Sequence, residues 1–212
     1  MKRLLASAVA LVAASLAVTA QAGGVGLGLS VAGKASTAGY GVEIGYRFNN
    51  FFAVRGGINT GSYDYSATDA GIDYDYSLDF DNYPVLLDWH VFGGDFRLTG
   101  GVVSNSNKLT GRASGTLDIG GTSYPNATAT TDVSFDKSSP YIGFGWAALP
   151  SAKGGLGFSF DIGVLAHGSP TVRLTAPGAS AGDIAAEEAA LNDELKDFKY
   201  WAVISLGIGY TF

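Results

Sequence analysis

The stretch "WAVISLGIGYTF", Trp201 to Phe212, alternates along its whole length. Ala202, Ile204, Leu206, Ile208, Tyr210 and Phe212 are apolar; Val203, Ser205, Gly207, Gly209 and Thr211 between them are mostly small or polar. A period of two is the signature of a strand with two different faces. The large residues form the continuous face, and the last one is an aromatic at a position that is ordinarily frayed and solvated. A strand that ends on Phe212 needs an apolar surround there.

The remaining composition says what that surround is. Glycine occurs 31 times, aromatics make up 12% and charged residues only 15% of the 212 residues, against a usual charged share of about a quarter. Lys2 and Arg3, the uncharged run Leu4 to Ala20 and the small-x-small pattern Ala20-Gln21-Ala22 read as a secretory signal peptide over residues 1–22. A retained N-terminal anchor is the other reading of that run. Beyond it, no uncharged apolar run approaches the length of a spanning helix. An exported, apolar and aromatic chain without such a helix fits a closed β-barrel in an outer membrane. The net charge of −6, or −8 without Lys2 and Arg3, argues against nucleic acid as a partner. The absence of cysteine removes disulfides and thiol chemistry.

Eight alternating segments are expected in residues 23–212: Val25–Lys34, Tyr40–Phe48, Phe51–Tyr65, Asp73–Val91, Phe96–Arg112, Val133–Ala148, Leu156–Thr175 and Lys199–Phe212. Tight turns flanked by aromatics (Phe48 to Phe51, Phe92 to Phe96) and a longer one at Leu149–Gly155 alternate with long polar loops (Asp64–Asp75, Gly111–Asp132, Ala176–Phe198). That alternation matches short periplasmic turns and long outer loops, with both chain ends in the periplasm. Charges and glycines share one face of each strand. That face points inward, because Arg or Lys facing lipid costs about 2–4 kcal/mol near the midplane. In Asp73–Val91, Tyr74, Tyr76, Leu78 and Phe80 read as the outward set, which would turn Asp88 and His90 to lipid. A parity switch between Asn82 and Pro84 is therefore expected. Two aromatic girdles are expected, one of Phe48, Phe51, Phe52, Trp89, Phe92, Phe96 and Trp146, the other of Tyr63, Tyr65, Tyr74, Tyr76, Tyr83 and Tyr200. Ala181–Phe198 reads as a helix capped by Asp183, a lid whose Ile184, Leu191, Leu195 and Phe198 could pack on the barrel mouth.

The leader, the eight segments, the aromatic-flanked turns, "LLDWHVFGGDFRLTGG" (86–101) and "DFKYWAVISLGIGYTF" (197–212) together resemble the small eight-stranded bacterial outer-membrane barrels of the OmpA membrane-domain and OmpW-like kind. The resemblance implies an all-β, eight-stranded antiparallel up-and-down transmembrane barrel of the Gram-negative outer membrane. It also implies that Leu206, Ile208, Tyr210 and Phe212 form the insertion signal read by the barrel assembly machinery.

Chemistry has three candidate places. Parity puts Glu43, Arg47, Arg55, Asp88, His90, Arg97 and Asp161 in the lumen, as a mutually satisfied plug or as the gate of a narrow conduit. Inward glycines favour local space. The rim acids Asp64, Asp69, Asp73, Asp75, Asp79 and Asp81 have no basic residue among them and no calcium-loop spacing. His167-Gly168-Ser169 resembles the base and nucleophile of outer-membrane lipid A deacylases, with no carboxylate clearly placed to orient the histidine. The expectation is a structural or narrow passive-channel protein without catalytic residues, metal or cofactor. Lipid, lipopolysaccharide and the assembly machinery are its expected partners, and it is expected to be a monomer. A loop-mediated adhesin and a lipid A hydrolase are the alternatives.

Overall fold

The computed structural model describes residues 28–148 and 154–212; the expected signal peptide and most of the turn at 149–155 lie outside them. Eleven strands and one helix follow in order: β1 Gly28–Ser36, β2 Gly39–Arg47, β3 Phe52–Asp69, β4 Ile72–Trp89, β5 Phe96–Asn105, β6 Lys108–Ile119, β7 Thr122–Ser134, β8 Ser138–Ala148, β9 Gly155–Ala166, β10 Thr171–Thr175, α1 Ala181–Leu195 and β11 Tyr200–Thr211. The expectation of eight strands is thus corrected. The polar stretch 111–132, read as a loop, is mostly strand.

All pairings are antiparallel. They run β1–β2–β3–β4–β5–β8–β9–β11 and return from β11 to β1. The other strands extend this wall upward on one side. β5 and β6 hold one register against β4 (Asn82↔Asn105, Asp79↔Lys108). β8 and β7 likewise hold one register against them (Ser104↔Ser138, Lys108↔Ser134). Each pair is one long strand interrupted where it leaves the wall. β9 and β10 differ: against β8 and β7 their register slips by one residue (Tyr141↔Leu165, Ser134↔Thr171). Gly168, at φ +73°, and Pro170 absorb the slip. It moves the inward set from odd to even residues, so Val172 and Leu174 continue the face held by Asp161 and Leu165.

β4 is where the sequence reading fails most clearly. No parity switch occurs at Asn82–Pro84: one register with β3 runs from Phe52↔Trp89 to Asp69↔Ile72. Asn82, Leu86 and Asp88 are buried inward, while Tyr83, Val85, Leu87 and Trp89 are exposed. Tyr74, Leu78 and Phe80 lie on the inward face. The physical reason is height. The upper half of β4 stands above the apolar belt, where Asp73, Asp75, Asp79 and Asp81 meet water on the outward face at no cost. The strand therefore has no need to turn over.

The outward side chains form a belt. On β11 it runs Tyr200, Ala202, Ile204, Leu206, Ile208 and Tyr210, all exposed. Ten steps of about 3.4 Å at a tilt of about 40° rise roughly 26 Å, close to the ~25 Å of a membrane barrel's apolar band. Ile44, Ile58, Val85, Leu98, Val102, Ile142, Phe144, Phe158 and Val164 continue it around the wall. Phe48, Phe52, Trp89, Phe92 and Trp146 are exposed at its lower rim. The expected upper girdle needs revision. Tyr83 and Tyr200 face outward, joined by Tyr40. Tyr63, Tyr65, Tyr74 and Tyr76 have the other parity and stand on the face of the projecting sheet that continues the lumen wall.

The helix closes that sheet. Ile184 packs on Leu117, Ile119, Ala129, Leu174 and Ala176, on the sheet face that continues the lumen wall rather than on the barrel mouth itself. The cap is Ser180, whose Oγ accepts from the Asp183 amide; Asp183 instead accepts from the Tyr124 hydroxyl. This corrects the expected Asp183 cap. Tyr124 binds the helix start and holds the Asp183 carboxyl below the usual range. Further along the helix, Asn192 Oδ1 accepts from Val172 N and its Nδ2 donates to Val172 O, while Glu188 accepts from Leu174 N. These side chains satisfy the backbone edge of β10 that no strand covers.

Candidate functional site

The lumen holds a closed network of three cations and three anions. Arg55, on β3, donates to Asp88 through Nε (2.6 Å) and Nη2 (2.9 Å), and to both Glu43 oxygens through Nη1 (3.0 Å each). Arg97 donates to Asp161 through Nη2 (2.8 Å) and Nε (3.2 Å) and lies 3.5 Å from Asp88. Lys34 bridges Glu43 (3.2 Å) and Asp161 (3.1 Å). Thr99 donates to Asp88 and Ser205 to Asp161. Asp88 is 0% exposed. Carboxylates so deep need such partners: each meets a guanidinium or ammonium, and Asp88 and Asp161 a hydroxyl as well.

The seven lumen residues read from parity divide. Glu43, Arg55, Asp88, Arg97 and Asp161 come together. Arg47 and His90 stand apart, at the end of the short turns. Arg47 donates to Asn49 O, Asn50 O (2.7 Å) and Gly93 O (3.2 Å). His90 Nδ1 donates to Gly94 O (2.7 Å), and its amide donates to Phe51 O. These two residues tie the turns 48–51 and 90–95 to each other. Lys34 was missed, although its parity, even like Ser30 and Ala32, places it inside.

Inward glycines do not leave a passage. A Cβ on Gly143 or Gly163 would meet the Tyr141 hydroxyl, and one on Gly145 would meet the Asp161 carboxylate. The glycines clear room for neighbours' polar side chains. Two small cavities flank the network. One, of about 60 Å³, lies between the network and Arg47 and His90; the other, of about 50 Å³, lies between the network and Asn82, Tyr141, Leu165 and Val203. Glu43 and Arg55 line both.

Above the second cavity an aromatic stopper covers the mouth. Phe80 meets Trp201 (5.9 Å), Trp201 meets Phe198 (6.0 Å), and Phe198 meets Phe135 (6.4 Å) and His167 (5.5 Å). Phe198 therefore does pack at the mouth, as expected of the lid. His167 and Ser169 form no base–hydroxyl pair: Ser169 Oγ donates to Lys196 O, and His167 Nδ1 donates to Gly168 O. On the outer face, Asp64, Asp73 and Asp75 accept from Ser77, Thr68 and Ser66. The register also sets Arg112 opposite Asp75 and Lys108 opposite Asp79, so the acid rim has basic neighbours that linear sequence hides. Among the described residues no group of His, Asp and Glu is spaced to hold a metal.

At the end of the chain, Phe212 is pinned rather than frayed. Its amide donates to Leu29 O (2.9 Å), and its ring meets Tyr210 edge-on at 5.1 Å.

A closed antiparallel wall with an apolar outside and a charged inside is the arrangement of an outer-membrane barrel protein. The family profile agrees. The outer membrane protein β-barrel domain matches residues 4–212, so the chain belongs to that family and is an outer-membrane protein. No curated protein matches it. Solved structures share the fold. The crystal structure of Acinetobacter baumannii CarO aligns with a TM-score of 0.63 at 19% identity, over 88% of this chain and 98% of the other. That of Acinetobacter baumannii CarO2 aligns with a TM-score of 0.65 at 16% identity, over 88% and 99%.

Proposed function

We propose that the closed succession of eight strands is the membrane-spanning barrel, and that its lumen is a narrow, charge-gated path for small solutes. The observation that carries this reading is the pair of cavities on either side of one ion-pair layer, with Glu43 and Arg55 lining both. Parting that layer would join the cavities; no other charged layer lies between them. In the state described, the barrel is shut, and a purely structural role follows if the layer never parts. The outward belt suits contact with outer-membrane lipid and lipopolysaccharide as a monomer. Leu206, Ile208, Tyr210 and Phe212 are the proposed insertion signal, read by the assembly machinery before the strand closes on β1. No cofactor or catalytic residue enters this reading.

The test is single-channel conductance of refolded protein in planar bilayers, comparing the parent with Glu43→Gln and Arg97→Ala. Brief, rare openings in the parent that lengthen in both variants are expected. Silence in all three would sink the path and leave the structural role. A second reading, surface interaction, is favoured by the ordered sheet that β6, β7 and β10 build above the mouth. Loss of cell binding on trimming the β6–β7 hairpin, with conductance unchanged, would select it.

A further inference from the structure

We infer that the aromatic stopper over the outer mouth is an acid-released lid, with His167 as its trigger. The inference rests on the lumen being the path, but its readout does not.

His167 is 2% exposed. It follows β9 and sits on the inward face, with its ring 4.4 Å from Phe135 and 5.5 Å from Phe198. Its backbone is held on both sides: the amide donates to Lys199 O, and the carbonyl accepts from the Asp136 amide. Donation from Nδ1 to Gly168 O fixes the neutral tautomer and leaves Nε2 as the lone-pair nitrogen. That nitrogen is buried without a partner, as is Trp201 Nε1. Both residues line one very small cavity with Leu78, Phe80, Asn105, Asn107 and Phe135. A proton on Nε2 would put a charged donor among rings and neutral amides.

The charged groups around the stopper do little to compensate. Asp136, from the β7–β8 junction, is a carboxylate near the imidazole, and it is exposed at the side of Gly168. Lys137 beside it is also exposed. From the α1–β11 segment, Lys199 pairs with Asp197 and Lys196 with Asp193, all at the surface. β4 contributes Asp79 and Asp81, which are exposed on its opposite face. β5, the β5–β6 junction and β11 contribute only the neutral side chains Asn105, Asn107 and Trp201 to the cavity. Burial holds the imidazole below its ordinary value.

The part that can move is also defined. Phe198 is half-exposed and lies between the end of α1 and β11, where its amide makes a single turn bond to Leu195 O. The helix is anchored separately, through Tyr124, Asn192 and Glu188. Charging His167 therefore turns Phe198 outward without detaching the helix. Trp201, held in β11, then loses one of its two aromatic neighbours.

Trp201 reports this directly. In a Trp89→Phe, Trp146→Phe background it is the single tryptophan. Acrylamide quenching of the refolded protein, followed from about pH 8 to about pH 4, is expected to rise about threefold with a midpoint below the ordinary histidine value of about 6.5. His167→Phe and His167→Gln should abolish the transition, and Asp136→Asn should move its midpoint lower. Quenching that is flat with pH in the parent, or that rises equally in both His167 variants, overturns the lid. A transition present in protein that never conducts would keep the lid and sink the path.

Discussion

Asp88 shows what a single residue carries here. It is fully buried, takes two bonds from Arg55 and one from Thr99, and lies 3.5 Å from Arg97. Asp88→Ala leaves two guanidinium groups short of a partner. Removing one member of a buried pair costs about 3–5 kcal/mol, and a loss of that size is expected in urea unfolding of protein refolded in micelles. Arg47→Ala removes bonds to turn carbonyls at the solvated end and should cost about 1 kcal/mol. A loss at Arg47 equal to that at Asp88 would contradict the division of the lumen residues. Outside the membrane, Asp183 gives a pH prediction. Its folded-state value is lowered, chiefly by the Tyr124 hydroxyl. The stability it contributes is therefore present above the ordinary carboxylate range and lost as pH falls through the lowered value. In Tyr124→Phe the Asp183 inflection, read by carboxyl NMR, should move upward.

At the scale of the element, strand alternation was legible wherever a strand crosses the apolar belt, because there the two faces meet different solvents. It misled above the belt. On upper β4 the outward face meets water and the inward face continues the lumen wall, so large residues point inward and acids outward. The sequence pattern is the same; the solvent is not. The helix was legible from its Ala, Leu and Glu content, but its job on β10 was not. Nothing in the sequence marks Asn192 and Glu188 for it, because only the fold shows that β10 has β7 on one side and no strand on the other. Asn192→Ala is expected to speed hydrogen exchange at the Val172 amide at least about tenfold, while amides in β9 stay protected. Unchanged exchange at Val172 would show that the edge needs no cap.

For the whole molecule, closure depends on β11 meeting β1, from Ser36↔Ser205 to Ser30↔Thr211. Phe212 continues this pairing by its bond to Leu29 O. Deleting Phe212 is expected to lower the amount of heat-modifiable, folded protein in outer-membrane fractions several-fold, with refolding in micelles much less affected. Equal loss in both settings would point to stability rather than to an insertion signal. The lumen cluster was half legible. Strand parity selected inward charges, but it carries no height, so it could not separate Arg47 and His90 at the turns from the five residues that meet. Only pairing register supplies height.

The sequence by itself determined the solvent of each face: an alternation of large apolar with small or charged residues, with too few charges for a water-bathed surface, specifies a wall between lipid and a crowded interior. It marked one edge of that wall, through aromatic-flanked short turns. The tertiary structure alone decided which inward charges touch, what the glycines make room for, and that one side of the wall rises past the apolar belt as a sheet closed by a helix. Those are matters of register between strands far apart in the chain. A pattern of period two says which face a residue takes, and leaves open which neighbour it will meet there.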